Sequence, residues 1–189
     1  MSRPRQLLVA ALVLAAAAGC GPKTGDTYVR GHGLRVADLP VHDRVAIYQA
    51  AIGSAFTIGD PSLYLLLDPR LLPRTEGYAG TAGMSQALRT AVLESHIVQG
   101  TCQPPIEETP HIAHCQAPMA GYVVRFSEVF RMPRDTMEVY LAVRRYSTPS
   151  SVGIGRLEFE RVYKVVKHGA AWDAVAEGRI EHAPAGATH

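Results

Sequence analysis

The sequence predicts an α+β domain, with two or three helices packed on a curved, mainly antiparallel sheet of about four to five strands. Three observations lead there. Apolar residues recur at helical spacing in the first half of the chain. In the second half they alternate with polar ones, as on a sheet with one buried face. Short turn-forming stretches separate the alternating segments, so neighbouring strands run antiparallel.

The first element precedes the domain. Arg3 and Arg5 form a basic start, and Gln6 to Ala18 is an apolar run. That run is shorter than the ~20 residues a helix needs to cross a bilayer. A basic start, a short apolar core and small residues at its end mark a secretory signal. The stretch Ala17-Ala18-Gly19-Cys20 resembles the lipobox of bacterial lipoproteins, departing from it at Ala17, where leucine is preferred. The resemblance implies a signal peptide over residues 1–19, cleavage before Cys20, and acyl chains, palmitate among them, on the Cys20 thiol. The alternative is an ordinary secretory signal cut near Ala18, leaving Cys20 as a free or paired thiol. Gly21 stands where the family uses aspartate for inner-membrane retention. That implies the periplasmic face of the outer membrane in a two-membrane cell, and otherwise the outer face of the cytoplasmic membrane.

Residues 20–37 are rich in glycine and polar residues and predict a flexible tether. Residues 38–182 are the length of one domain, and 183–189, "APAGATH", predict a disordered tail. Loss of Arg3 and Arg5 lowers the basic count from 19 to 17, equal to the 17 acidic residues. A mature chain near neutrality does not suggest nucleic acid as a partner.

Asp38 and Pro40 are helix-start residues, and Val41, Val45, Tyr48, Ile52 and Phe56 then share a helical face. "SLYLLLD" predicts a short buried strand, and "SQALRTAVLES" a second helix. "GYVVRFSEVF", "MEVYLAVRRY", "RLEFERVYKVV" and "AAWDAVAEGRI" are the four strands of a meander. Met137, Val139, Leu141 and Val143 share one face; Leu157, Phe159, Tyr163 and Val165 share another. The element order from Pro40 to Ile180 resembles the cystatin-like and nuclear-transport-factor-2-like groups.

Candidate chemistry is sparse. "CQPPIEETPHIAHC" holds Cys102, His111, His114 and Cys115, four potential zinc ligands at a spacing that matches no standard structural site. An oxidising compartment favours a Cys102–Cys115 disulfide, worth about 3 kcal/mol in the chain-entropy model. It also resolves the odd count of three cysteines, once Cys20 carries lipid. No metal and no cofactor are expected.

Ser85 in "GMSQA" sits in a fragment of a nucleophile elbow, yet follows a glycine-rich loop rather than a strand, so it reads as a helix N-cap. Glu158 and Glu160 share a strand face and predict a solvated carboxylate pair. Arg161 falls on the face of Phe159 and Tyr163, where it could line a polar-tipped pocket with Tyr163 or keep its head in water at a sheet end. Trp172 reads as core.

The expected function is a lipid-anchored envelope protein with a non-catalytic binding or scaffolding domain. Its partners are the membrane, through Cys20, and an envelope protein or small ligand. The alternative is a small-ligand or enzymatic pocket of the nuclear-transport-factor-2-like kind.

Overall fold

The computed structural model describes residues 28–57, 63–75, 82–102, 120–146 and 156–180. In chain order their elements are β1 (Arg35–Val36), α1 (Val41–Ala55), β2 (Leu65–Leu67), α2 (Gln86–Glu94) and β3 (Gly100–Thr101). There follow β4 (Gly121–Phe126), β5 (Phe130–Arg131), β6 (Thr136–Tyr146), β7 (Arg156–His168) and β8 (Ala171–Ile180).

Helix α1 begins after Pro40, whose carbonyl accepts from the Arg44 N–H at 3.2 Å, and ends where Phe56 turns extended at φ −135°. Its buried residues are Val45, Ile47, Tyr48, Ala51 and Ile52, whereas Val41 is 38% exposed. The buried stripe is thus wider than the expected one and starts a turn later. Asp43 in the first turn accepts from Lys167 Nζ and Trp172 Nε1, each at 3.1 Å, tying the helix start to the β7–β8 hairpin. Helix α2 starts at Ser85, whose Oγ accepts from the Leu88 N–H at 3.2 Å, so the cap reading of Ser85 holds.

The α+β class holds, but the sheet is mixed and larger than expected, with eight strands among the described residues. Strand β6 is its axis. Along one edge it pairs with β5 and then β4, and along the other with β7, which pairs with β8. Beyond β4 lies β2, parallel to both β4 and β3. The two-residue strands β1, β3 and β5 are too short to carry a period of two. "GYVVRFSEVF" is two strands because the ladder breaks at Ser127. There the Tyr140 N–H donates to Ser127 Oγ at 2.9 Å, and Tyr48 Oη donates to the Ser127 carbonyl at 3.0 Å.

Both faces of the sheet are covered around β4, β5 and β6, whereas β8 stays largely exposed. Against one pack α1 and α2, with Tyr48 stacked on Phe126 (centroids 4.1 Å apart, planes at 13°) over Val124, Val139, Leu141 and Tyr163. Against the other pack Tyr28 and Leu34, with Leu72, around Phe130 and Tyr140. This corrects the tether: Tyr28 to Ala37 belongs to the fold rather than to a free linker, because Arg30 and Ala37 are buried and Arg35–Val36 is a strand.

Two bulges reset the faces. Opposite Val143 and Arg144 stand Phe159 and Leu157, which leaves Glu158 as an extra residue. Leu157 therefore joins the Tyr140 cluster instead of sharing a face with Phe159. Glu177 is likewise extra between Ala176 and Gly178. Glu160 is not half of a solvated pair. It is 2% exposed, under the N-terminal segment.

Candidate functional site: a charged strap and an aromatic cleft

On the face away from the helices, the segment from Tyr28 to Leu34 lies across the sheet like a strap. Glu160 on β7 receives Arg30 in a fork: Nε to Oε1 at 2.5 Å and Nη2 to Oε2 at 2.8 Å. The third nitrogen, Nη1, donates to the Pro73 carbonyl at 2.7 Å. Both side chains are almost wholly enclosed, at 3% and 2% exposure. Arg74 holds the strap from outside, donating to the Gly31 and Leu34 carbonyls at 2.8 and 2.6 Å. Gly31, at φ +61°, is required here. A Cβ would stand 2.5 Å from the Phe130 ring, and the backbone conformation disfavours any side chain.

More charge lies on this face. Asp68, 1% exposed, takes Arg70 through both oxygens, at 2.9 and 2.6 Å. Arg125 donates to the Arg70 and Leu71 carbonyls at 3.2 and 2.6 Å. Burial pulls the Arg125 guanidinium down to about 10, with Asp68 opposing the change. Tyr140 donates to Glu138 Oε1 at 2.7 Å and accepts from the Gly31 N–H at 3.2 Å; burial, above all, pushes its hydroxyl far up.

The helix-covered face carries a different feature. Where α1 ends, the extended backbone at Phe56 drops its ring beside Tyr122, the second residue of β4 (5.5 Å, 49°), and Phe159 of β7 (6.3 Å, 42°). A cleft of about 390 Å³ opens there, lined by Phe56, Thr57, Leu63, Ala120, Gly121, Tyr122 and Arg145. Arg145 stands directly across the ladder from Tyr122. Gly121 lets β4 close against the preceding segment. A Cβ would collide with the Tyr64 carbonyl and come within 2.8 Å of Tyr146 Oη.

The residues singled out from sequence fall in several places. Tyr163 is fully buried in the helix-side core. Arg161 stands over the Phe159 ring, 4.5 Å from guanidinium carbon to centroid. It borders the aromatic group, but neither Arg161 nor Tyr163 is among the cleft's lining residues. Among the described residues, the buried Tyr163 hydroxyl makes no well-formed hydrogen bond. Burial raises its pKa, and the neighbouring Arg161 charge partly offsets the rise.

Cys102 is 1% exposed beside Leu66, Val123 and Tyr146, and its N–H donates to the Leu67 carbonyl at 2.8 Å. Cys20, His111, His114 and Cys115, with Glu107 and Glu108, lie outside the described residues. Among the described residues, no group of three or more His, Cys, Asp or Glu could hold a metal, and no helix is long and apolar enough to cross a membrane.

Sequence reasoning missed Arg30, Asp68, Arg70, Arg125 and Arg145. One signal was present: the outer positions of β6 include Tyr140 and Ala142, which a solvated face would not favour. Comparison of the chain with protein-family models, curated proteins and solved structures found no match.

Proposed function

We propose that this chain is a lipid-anchored cell-envelope protein whose α+β domain binds a partner rather than catalysing a reaction. The observation that carries the anchor is the N-terminal run itself: Arg3 and Arg5, a short apolar core, and small residues ending on Cys20. Two or more acyl chains on that residue make a stable attachment, whereas one alone is marginal. Seven residues lie between Cys20 and Tyr28, where the strap begins, so the eight steps span at most about 29 Å at full extension. The domain is therefore held close to the membrane surface, on the periplasmic face of the outer membrane in a two-membrane cell.

Binding, as opposed to catalysis, is supported by how the buried carboxylates are used. Asp68 and Glu160 are each forked to an arginine, as structural ion pairs are. Among the described residues, an open feature is instead an aromatic cleft beside an arginine. In this reading Cys102 and Cys115 form a disulfide at the sheet's β2–β4 end. Non-reduced protein should yield a peptide linking the two, and free thiols at both positions would refute the pairing.

The anchor is tested by metabolic labelling with a fatty acid in intact cells. Wild-type protein should take up label and Cys20→Ser should not. Equal labelling of the two would defeat the proposal.

A further inference from the structure

We propose that the Phe56–Tyr122–Arg145 cleft binds a small anion that carries a flat apolar group, of the class of aromatic carboxylates. This deepens the reading of the domain as a binding domain and rests on it. The volume, about 390 Å³, falls in the range of roughly 300–1,000 Å³ typical of small-ligand sites. Its apolar side is aromatic: Phe56 and Tyr122 are lining residues, and Phe159 is packed beside Phe56. Ring faces of this kind favour a planar partner in offset or edge contact.

Charge selects the sign of the ligand. Arg145 is exposed, and no described residue forms an ion pair or hydrogen bond with its side chain. Arg161 is held over Phe159 with no carboxylate partner among the described residues. By contrast, Arg30 and Arg70 on the opposite face are forked to carboxylates, and Arg125 is bound to carbonyls. A guanidinium offers a planar fork of donors that matches a carboxylate.

Helix α1 fixes the orientation. Its C-terminal end, at Ala55 and Phe56, carries the negative end of the helix dipole, which repels an anion. The acid group therefore lies at Arg145 rather than at the helix end, and the ring lies against Phe56 and Tyr122.

The probe is 2-naphthoate, with the neutral 2-naphthylmethanol as control, titrated by calorimetry into the purified full chain. Saturable binding of the acid is expected, with Arg145→Gln weakening it about tenfold or more, as for loss of a charge-assisted hydrogen bond. Phe56→Ala should weaken both probes, and Arg35→Gln, on the distant β1 strand, neither. Arg145 is exposed, so its variant should keep the wild-type melting temperature, which separates lost binding from lost fold. No saturable binding, or equal affinity in wild type and Arg145→Gln, overturns the proposal. Because the readout needs no lipid, failure here leaves the fatty-acid labelling result standing, and failure of labelling leaves the cleft standing.

Discussion

The two faces of the sheet are closed by different physics. The helix side is apolar: Tyr48, Ile52, Phe126, Leu141 and Tyr163 are buried together, and their removal from water supplies the stabilisation. The strap side mixes an aromatic group, Tyr28, Phe130 and Tyr140, with ionised groups that had to be paired to be enclosed. An apolar face tolerates swaps between apolar side chains of similar volume. A face closed by a buried ion pair depends on both partners being present. The difference teaches where this fold is forgiving and where it is not.

The largest effect should come from placing a charge in the apolar face. Leu141 is fully buried in the apolar cluster, and Leu141→Asp takes a carboxylate out of water there, with only Arg161, across the ladder, as a nearby described cation. Cooperative thermal unfolding should disappear. An unchanged melting temperature would show that the face has been wrongly described. On the strap side, Gly31→Ala should cost about 1–3 kcal/mol in urea unfolding, through the Phe130 collision and the positive φ. A neutral result would mean that the strap is loosely held.

A smaller effect is expected at the α2 cap. Ser85→Ala should cost about 1 kcal/mol, because the Leu88 N–H loses its acceptor. A loss of catalytic or binding function with no loss of stability would instead restore the nucleophile reading of Ser85.

The smallest expected effect is a pH dependence. The hydrogen bond from Trp172, and then that from Lys167, hold the Asp43 carboxyl below its ordinary value of 3.8. A depressed carboxylate contributes stability that is complete above the ordinary pKa and is lost as pH falls through the folded one. Melting temperatures taken from pH 5 down to pH 2, a span of about three units around that value, should fall less steeply for Asp43→Asn than for wild type. Parallel curves would show that Asp43 does not contribute to the acid limb.

How far the sequence could be read follows the same division. Helix α1 and strand β6 were legible because their apolar residues repeat at periods of 3.6 and 2, and α2 because Ser85 precedes a helical pattern. Glu160 was not, because its partner Arg30 lies 130 residues away in a segment whose composition reads as a tether. Alternation also fails at Glu158, where one extra residue moves Leu157 to the other face. At the cleft, Arg161 could be placed on the helix face beside Phe159, since both belong to one strand. Phe56, Tyr122 and Arg145 come from three separate segments, and only the fold brings them together.

The dependence of the strap on a buried pair, each partner useful chiefly with the other, is what sets this face apart. It is tested most directly by a double-mutant cycle of Arg30→Met and Glu160→Leu, read by urea unfolding of the full chain. Each single variant should lose about 3–5 kcal/mol, because it leaves the other charge in the interior without the fork that neutralised it. The double variant, with two apolar side chains in contact, should recover most of that loss. Losses that simply add, or single variants within about 0.5 kcal/mol of wild type, would contradict the account.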